Sequence, residues 1–203
     1  MESIRKTMLT VIRNVFLLVC LMCCVPVYAE KVESPQDLRL LPKFCWGTQQ
    51  VRDFSKDPHP IEYYVNRYGP TYHDFHHFCW GLIGVNRASQ VQDKALRMMK
   101  LRHTLSEFKY VIARAEPGFV FLPVVYVAQA TVLRDVGRIG EALASLQKAT
   151  ELKPNYAHAY ILSADILLSQ NDRDGAVRVL KKGLSKTQGK AAASIKFRLN
   201  KLM

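Results

Sequence analysis

The chain is poor in the patterns that chemistry requires. It has no Gly-x-Ser-x-Gly elbow to present a serine nucleophile, no phosphate-cradling glycine loop, no dinucleotide-binding glycine pattern and no His-Glu-x-x-His zinc site. Asp and Glu are scattered along helical stretches without a recognisable acid and base pair, so the chain reads as a non-enzyme that needs no cofactor. Cys-x-x-Cys-His is absent as well, which excludes covalent haem attachment. Acidic residues nearly vanish toward the end: Asp174 stands alone among Arg173, Arg178, Lys181, Lys182, Lys186, Lys190, Lys196, Arg198 and Lys201. With 49% hydrophobic and 23% charged residues over a length of 203, the composition suits a folded domain of moderate size.

The first 29 residues read as a secretory signal peptide. Arg5, Lys6 and Arg13 make a basic start, Val15 to Val25 is an uncharged apolar run, and Val27-Tyr28-Ala29 supplies a small-x-small cleavage site. An uncleaved anchor is the other reading, but an eleven-residue run at about 1.5 Å per residue falls short of a hydrocarbon core about 30 Å thick. Lipid attachment at Cys20, Cys23 or Cys24 would follow Val19, Met22 or Cys23, none of them the usual small residue. Without this segment 26 basic and 16 acidic residues remain, a formal charge of +10, and Cys45 and Cys79 are the two cysteines left. An even pair in an exported chain is expected to form a disulfide, and the protein is expected in the periplasm or secreted.

From Pro123 to Gly189 one pattern is written twice. Tyr126, Ala130, Leu133, Ala142, Leu146 and Ala149 recur as Tyr160, Ala164, Leu167, Ala176, Leu180 and Gly183, each pair 34 residues apart. This period, with an aromatic, a small residue, then Ala, Leu and Ala, closed by Pro154, resembles the tetratricopeptide repeat family of helical hairpins. The resemblance implies an all-α, right-handed superhelical solenoid with helices near 123–136, 139–151, 157–170 and 173–186. Gly137 and Asn171 take equivalent turn sites where positive φ is tolerated. Residues 190–203 are expected to form a capping helix, with Ala192, Ile195, Leu199 and Leu202 inward and Lys190, Lys196, Arg198 and Lys201 outward.

The 34-residue rhythm reaches further back. Phe44-Cys45-Trp46-Gly47 reappears as Phe78-Cys79-Trp80-Gly81, and if both copies begin equivalent helices in adjacent repeats the two cysteines face each other. Pro58-His59-Pro60 argues against a full extra repeat, so residues 30–70 read as a strap and an irregular aromatic-rich segment, with a short helix from Pro35 and one or two helical turns near Ile61 to Tyr68. A helix is expected to resume at Thr71 as N-cap, with Tyr72, Phe75, Cys79, Leu82, Ile83 and Asn86 on one side. Trp80, Ile83 and Gly84 follow the family signature, with Arg87 in place of the aromatic. Residues 71–118 thus make a degenerate hairpin. Its second helix is long, since Gln92 to Glu116 holds no Gly or Pro; with Ser106, Tyr110 and Ala113 as its packing positions, ten residues are inserted and the helix juts from the array. Residues 119–189 hold the two regular repeats.

Three candidate sites follow. The family's groove-facing positions fall here on Val124, Val127, Thr131, Arg134, His158, Ile161, Asp165 and Leu168. They lack the Lys, Asn and Arg set that grips a terminal carboxylate, which implies an apolar partner segment, helical or the chain's own strap, if these side chains are not buried by the protein itself. His73, His76 and His77 form a cluster in which His73 and His77, one helical turn apart, are the metal-ligand candidates, with Cys79 as a third donor; a Cys45–Cys79 bond would remove that thiolate. The basic C-terminal helices are the third site, suited to an anionic envelope surface of lipid or acidic glycan, or to solvent alone; nucleic acid is not expected of an exported protein. The first of these carries the functional expectation: an exported scaffold for protein–protein interaction in a cell-envelope assembly.

Overall fold

The computed structural model describes residues 31–202, and the expected export segment, residues 1–29, lies outside them. Among the described residues every regular element is helical: α1 (Pro35–Leu40), α2 (Arg52–Ser55), α3 (Ile61–Tyr68), α4 (His76–Ser89), α5 (Lys94–Arg114), α6 (Leu122–Asp135), α7 (Ile139–Leu152), α8 (Ala157–Ser169), α9 (Arg173–Lys186) and α10 (Gly189–Asn200). Short 3-10 turns lie at Lys43–Cys45 and Pro70–His73. Helices α4 and α5, α6 and α7, and α8 and α9 pack as successive pairs, and α10 closes the array against α8 and α9.

The two regular hairpins form where the small residues permit it. Ala130, Ala142, Ala164 and Ala176 are buried at the crossings, and Leu146 and Leu180 fill the space beside them. Each of those leucines contributes about 1.5 to 3 kcal/mol by burial. Tyr126 and Leu167 remain half-buried. Gly137 (φ 80°) and Asn171 (φ 62°) occupy the expected left-handed turns. Asp172 starts α9 by accepting a hydrogen bond from the Gly175 amide at 2.8 Å, which satisfies one of the unpaired donors of the first turn.

The N-terminal half departs from the repeat in three places. Cys45 and Cys79 are bonded, with Cα atoms 5.8 Å apart, yet the two copies of Phe-Cys-Trp-Gly are not equivalent: the first sits on a 3-10 turn and only the second lies in a helix. Pro42 precedes the first copy and leaves it one short turn before Gly47, whose missing β-carbon is where the Tyr64 ring lies. Thr71 does not cap α4, which begins at His76; its buried hydroxyl accepts from the Glu116 amide at 2.9 Å and so ties the entry of α4 to the exit of α5. Finally, Ser106 and Ala113 are exposed and Tyr110 half-buried, so they are not the packing face of α5.

That face is Thr104, Phe108 and Val111, all buried. The set has the spacing of Ala142, Leu146 and Ala149 but lies two residues earlier than Ser106, Tyr110 and Ala113. The physical reason is Gly81, which leaves room for the Phe108 ring against the backbone of α4. Gly84 to Thr104 is 20 residues where Ala130 to Ala142 is 12, so the insertion is eight residues. It lengthens α5 at its start: Asp93 caps the helix through the Leu96 amide at 2.6 Å, and the first core residue after it is Leu101.

Aromatic rings hold residues 43–75 in place. Phe75 stacks on Phe78 and on Phe121, each at 5.0 Å, Phe44 lies 4.8 Å from Phe121, and Tyr64 stacks on Tyr72 at 5.2 Å. The strap is tied at its start by Arg87, which donates to the Lys31 carbonyl, Glu33 and Asp37. It packs on α4 rather than reaching across the array: α1 meets α2 and α4.

Candidate functional site

Helices α6 and α8 lie beside each other and carry the groove candidates. Val127 is buried, Val124, Thr131, Arg134, Ile161, Asp165 and Leu168 are half-buried, and His158 is exposed. The Thr131 hydroxyl donates to the Val127 carbonyl at 3.0 Å, as helical threonines do when they turn inward. Both charges of the set have partners: Arg134 donates to Asp135 at 2.8 Å, and Asp165 accepts from Arg198 of α10 at 2.7 Å. The capping helix therefore reaches the edge of this face. What stays open beside it is mostly apolar, Val124, Ile161 and Leu168, with His158 exposed at the start of α8.

The histidines do not form the expected chelate. His73 lies in the 3-10 turn and His77 in α4, so the two are not one turn apart on a single helix. The Cys79 sulfur is held by Cys45 and offers no thiolate. His76 is buried and donates from Nδ1 to the His73 carbonyl at 2.8 Å; burial pushes its imidazole below the ordinary value, more than that hydrogen bond raises it. His77 meets Glu107 of α5 at 2.6 Å and stacks on Tyr110, ring centres 3.8 Å apart, with the Arg114 guanidinium 3.8 Å over the same ring. Among the described residues no group of three or more His, Cys, Asp and Glu is placed to hold a metal. The cluster is a polar seam between α4 and α5, and Glu107, its acidic member, carried no signal that distinguished it from a surface glutamate.

At the C-terminal end two of the cations have structural work. Arg198 binds Asp165, and Arg173 donates to the Leu202 carbonyl, clipping the end of the chain to the start of α9. Lys190, Lys196 and Lys201 are exposed around Phe197, which is 61% exposed and lies 4.4 Å below the Lys201 ammonium.

Sequence reasoning missed an open cleft of about 340 Å³ on the other side of the array, between α7 and α9 over Tyr160. Leu143, Leu146, Tyr160 and Val179 line it, with Gln147, Thr150 and Lys182 among its polar residues. Leu146 and Tyr160 also pack the repeats, and Lys182 belongs to the basic C-terminal run.

These hairpins match a family model for the tetratricopeptide repeat over residues 133–198. This part of the chain carries the tetratricopeptide repeat. The match takes in most of the first regular repeat, all of the second and most of α10. No curated protein and no solved structure matches the chain. Tetratricopeptide repeats are generally non-catalytic scaffolds that mediate binding to protein partners.

Proposed function

We propose that the protein is an exported scaffold that holds an apolar segment of a protein partner against the α6 and α8 face, within a cell-envelope assembly. One observation carries the reading. Val124, Ile161 and Leu168 stay half-open on helices packed side by side, while Arg134 and Asp165 are neutralised by Asp135 and Arg198. A face with its charges already paired favours an apolar ligand over a carboxylate terminus. Export is supported by the composition of residues 1–29 and by the Cys45–Cys79 disulfide, a bond that persists in oxidising compartments.

The test is a photo-activatable residue at Ile161, crosslinked in the native host and compared with a variant carrying Val124→Asp and Leu168→Asp. Val127 is unsuitable because it is buried. Capture lost in the charged variant, with its melting curve unchanged, supports the reading. The same partners captured equally well by both defeat it.

A further inference from the structure

Helix α10 closes the array with one side and leaves the other in solvent. Ile195 and Leu199 are buried where the helix packs on α8 and α9, and Phe197, on the opposite side of the helix, is 61% exposed. Lys190 stands seven residues before Phe197 and Lys201 four after it, spacings that set all three on one stripe, with Ala193 and Ser194 exposed between them. Lys201 continues the stripe because the C-cap keeps helical backbone angles, and its ammonium lies 4.4 Å over the Phe197 ring. The charge here is of one sign. No acidic side chain occurs from Gly175 to the end of the chain. Among the described residues the one cation of α10 that meets an acid is Arg198, which is turned to Asp165 of α8. Asp174, the nearest exposed acid along the chain, stands one turn before Arg178 on α9 and is far outnumbered.

We propose that this ridge of α10 docks on an anionic lipid bilayer, with the Phe197 ring at the headgroup boundary and Lys190, Lys196 and Lys201 on the lipid phosphates. A phenyl ring set among lysines finds the right phase for both at that boundary, where the ring leaves water and the ammonium groups stay hydrated beside anionic headgroups. The stripe is convex and spans about 16 Å from Lys190 to Lys201, so it meets a plane of many phosphates rather than enclosing one ligand. An acidic glycan would stack on an open ring face, and one face of Phe197 carries the Lys201 ammonium. A symmetric pairing of two copies through this ridge would bring the same lysines together. The net charge of +12 over the full chain steers the protein toward an anionic surface before contact. The ridge shares no residue with the partner face on α6 and α8. One ring and three cations give weak, reversible binding that salt relieves.

Flotation of the protein with phosphatidylcholine vesicles, and with vesicles in which a third of the lipid is phosphatidylglycerol, measures the excess bound by the anionic membrane. Phe197→Gln, and Lys190→Gln with Lys201→Gln, are compared with a control on α5 that removes equal charge, Lys94→Gln with Arg102→Gln. Every variant keeps the same N-terminus, so residues 1–29 act equally in all of them. The substituted positions are all exposed, and unchanged melting curves verify the fold. The expected result is an anionic excess reduced about fivefold or more by either α10 variant and less than about twofold by the α5 control, with Phe197→Trp gaining a blue-shifted emission on binding. An anionic excess that is absent, that the α5 control lowers as far as the α10 lysine variant, or that survives Phe197→Gln in full overturns the proposal; the last outcome is adsorption of a polycation to any polyanion.

Discussion

Tyr160 lies directly over Gly183: a β-carbon at position 183 would stand 2.6 Å from Cγ of the tyrosine ring. The ring of α8 thereby meets the backbone of α9, and the hydroxyl at its far end donates to the Pro154 carbonyl at 2.9 Å, joining the second repeat to the last residue of the first. One side chain closes a hairpin and couples two repeats.

Tyr160→Ala is therefore expected to cost about 3 to 5 kcal/mol, by lost burial and the cavity left behind, and Tyr160→Phe about 1 kcal/mol for the hydrogen bond. Gly183→Ala should also destabilise, by about 1 to 3 kcal/mol, because the ring's base rather than a flexible tip blocks the new methyl. Urea denaturation of the three variants checks the order; an undiminished midpoint for Tyr160→Ala would remove the coupling role.

The disulfide closes a loop between residues 34 apart and joins a 3-10 turn to α4. Cys45→Ala with Cys79→Ala should lower stability by about 3 to 4 kcal/mol in the chain-entropy account. Denaturation with and without reductant measures the same quantity in the native chain. Equal midpoints in the two conditions would show that the aromatic stack alone sets the stability of this half.

Arg87 stands where the family pattern has an aromatic, and its charge is what the strap binds. The Asp37 carboxylate it meets at 3.0 Å is largely buried, with 14% of its side chain exposed. Arg87→Leu is expected to raise amide exchange at Leu38 and Leu41 at least tenfold, from loss of a charged hydrogen bond of roughly 1.5 to 3 kcal/mol. Exchange in α8 should not change. Unaltered protection of the strap in this variant would place its attachment in Val32, Leu38 and Leu41 packing instead.

His76 sets a pH response. Burial holds its folded value below the ordinary 6.5 and outweighs the hydrogen bond to His73; the charge of His77 lowers it further, and Asp74 and Glu107 oppose. As pH falls from about 6.5 through the lower folded value, the unfolded chain takes a proton that the native chain resists, so stability drops over that window. The melting temperature should fall as the pH drops below about 6.5, and His76→Gln should flatten that slope. An identical slope in the variant would assign the response to other groups.

The regular half was legible because its determinants are local. Ala130, Ala142, Ala164 and Ala176 each state that two helices cross closely at that point, and a 34-residue period repeats the statement until no other architecture fits. Gly137 and Asn171 could be read for the same reason, since their turns depend on their own φ. In the first hairpin the signals were local too, but they were outvoted. Ser106, Tyr110 and Ala113 have the right residue types, yet Gly81 offers its backbone to Phe108, and a glycine's vacancy does not say which ring will fill it. That contact moved the register of α5 by two residues and turned Tyr110 out to stack on His77.

The candidate sites divide the same way. That Val124, Ile161 and Leu168 are apolar could be read from the chain; that Val127 is buried, and that Asp165 is taken by Arg198 from a helix 33 positions later, required the fold. By itself the sequence determined the helical class, the repeat period, the turns and the cysteine pair, because each rests on residue size or backbone freedom at a fixed spacing. Only the tertiary structure decided the register of α5, the partners of the histidines and charges, and which apolar side chains were left in water, because those depend on which surfaces meet after the helices have formed.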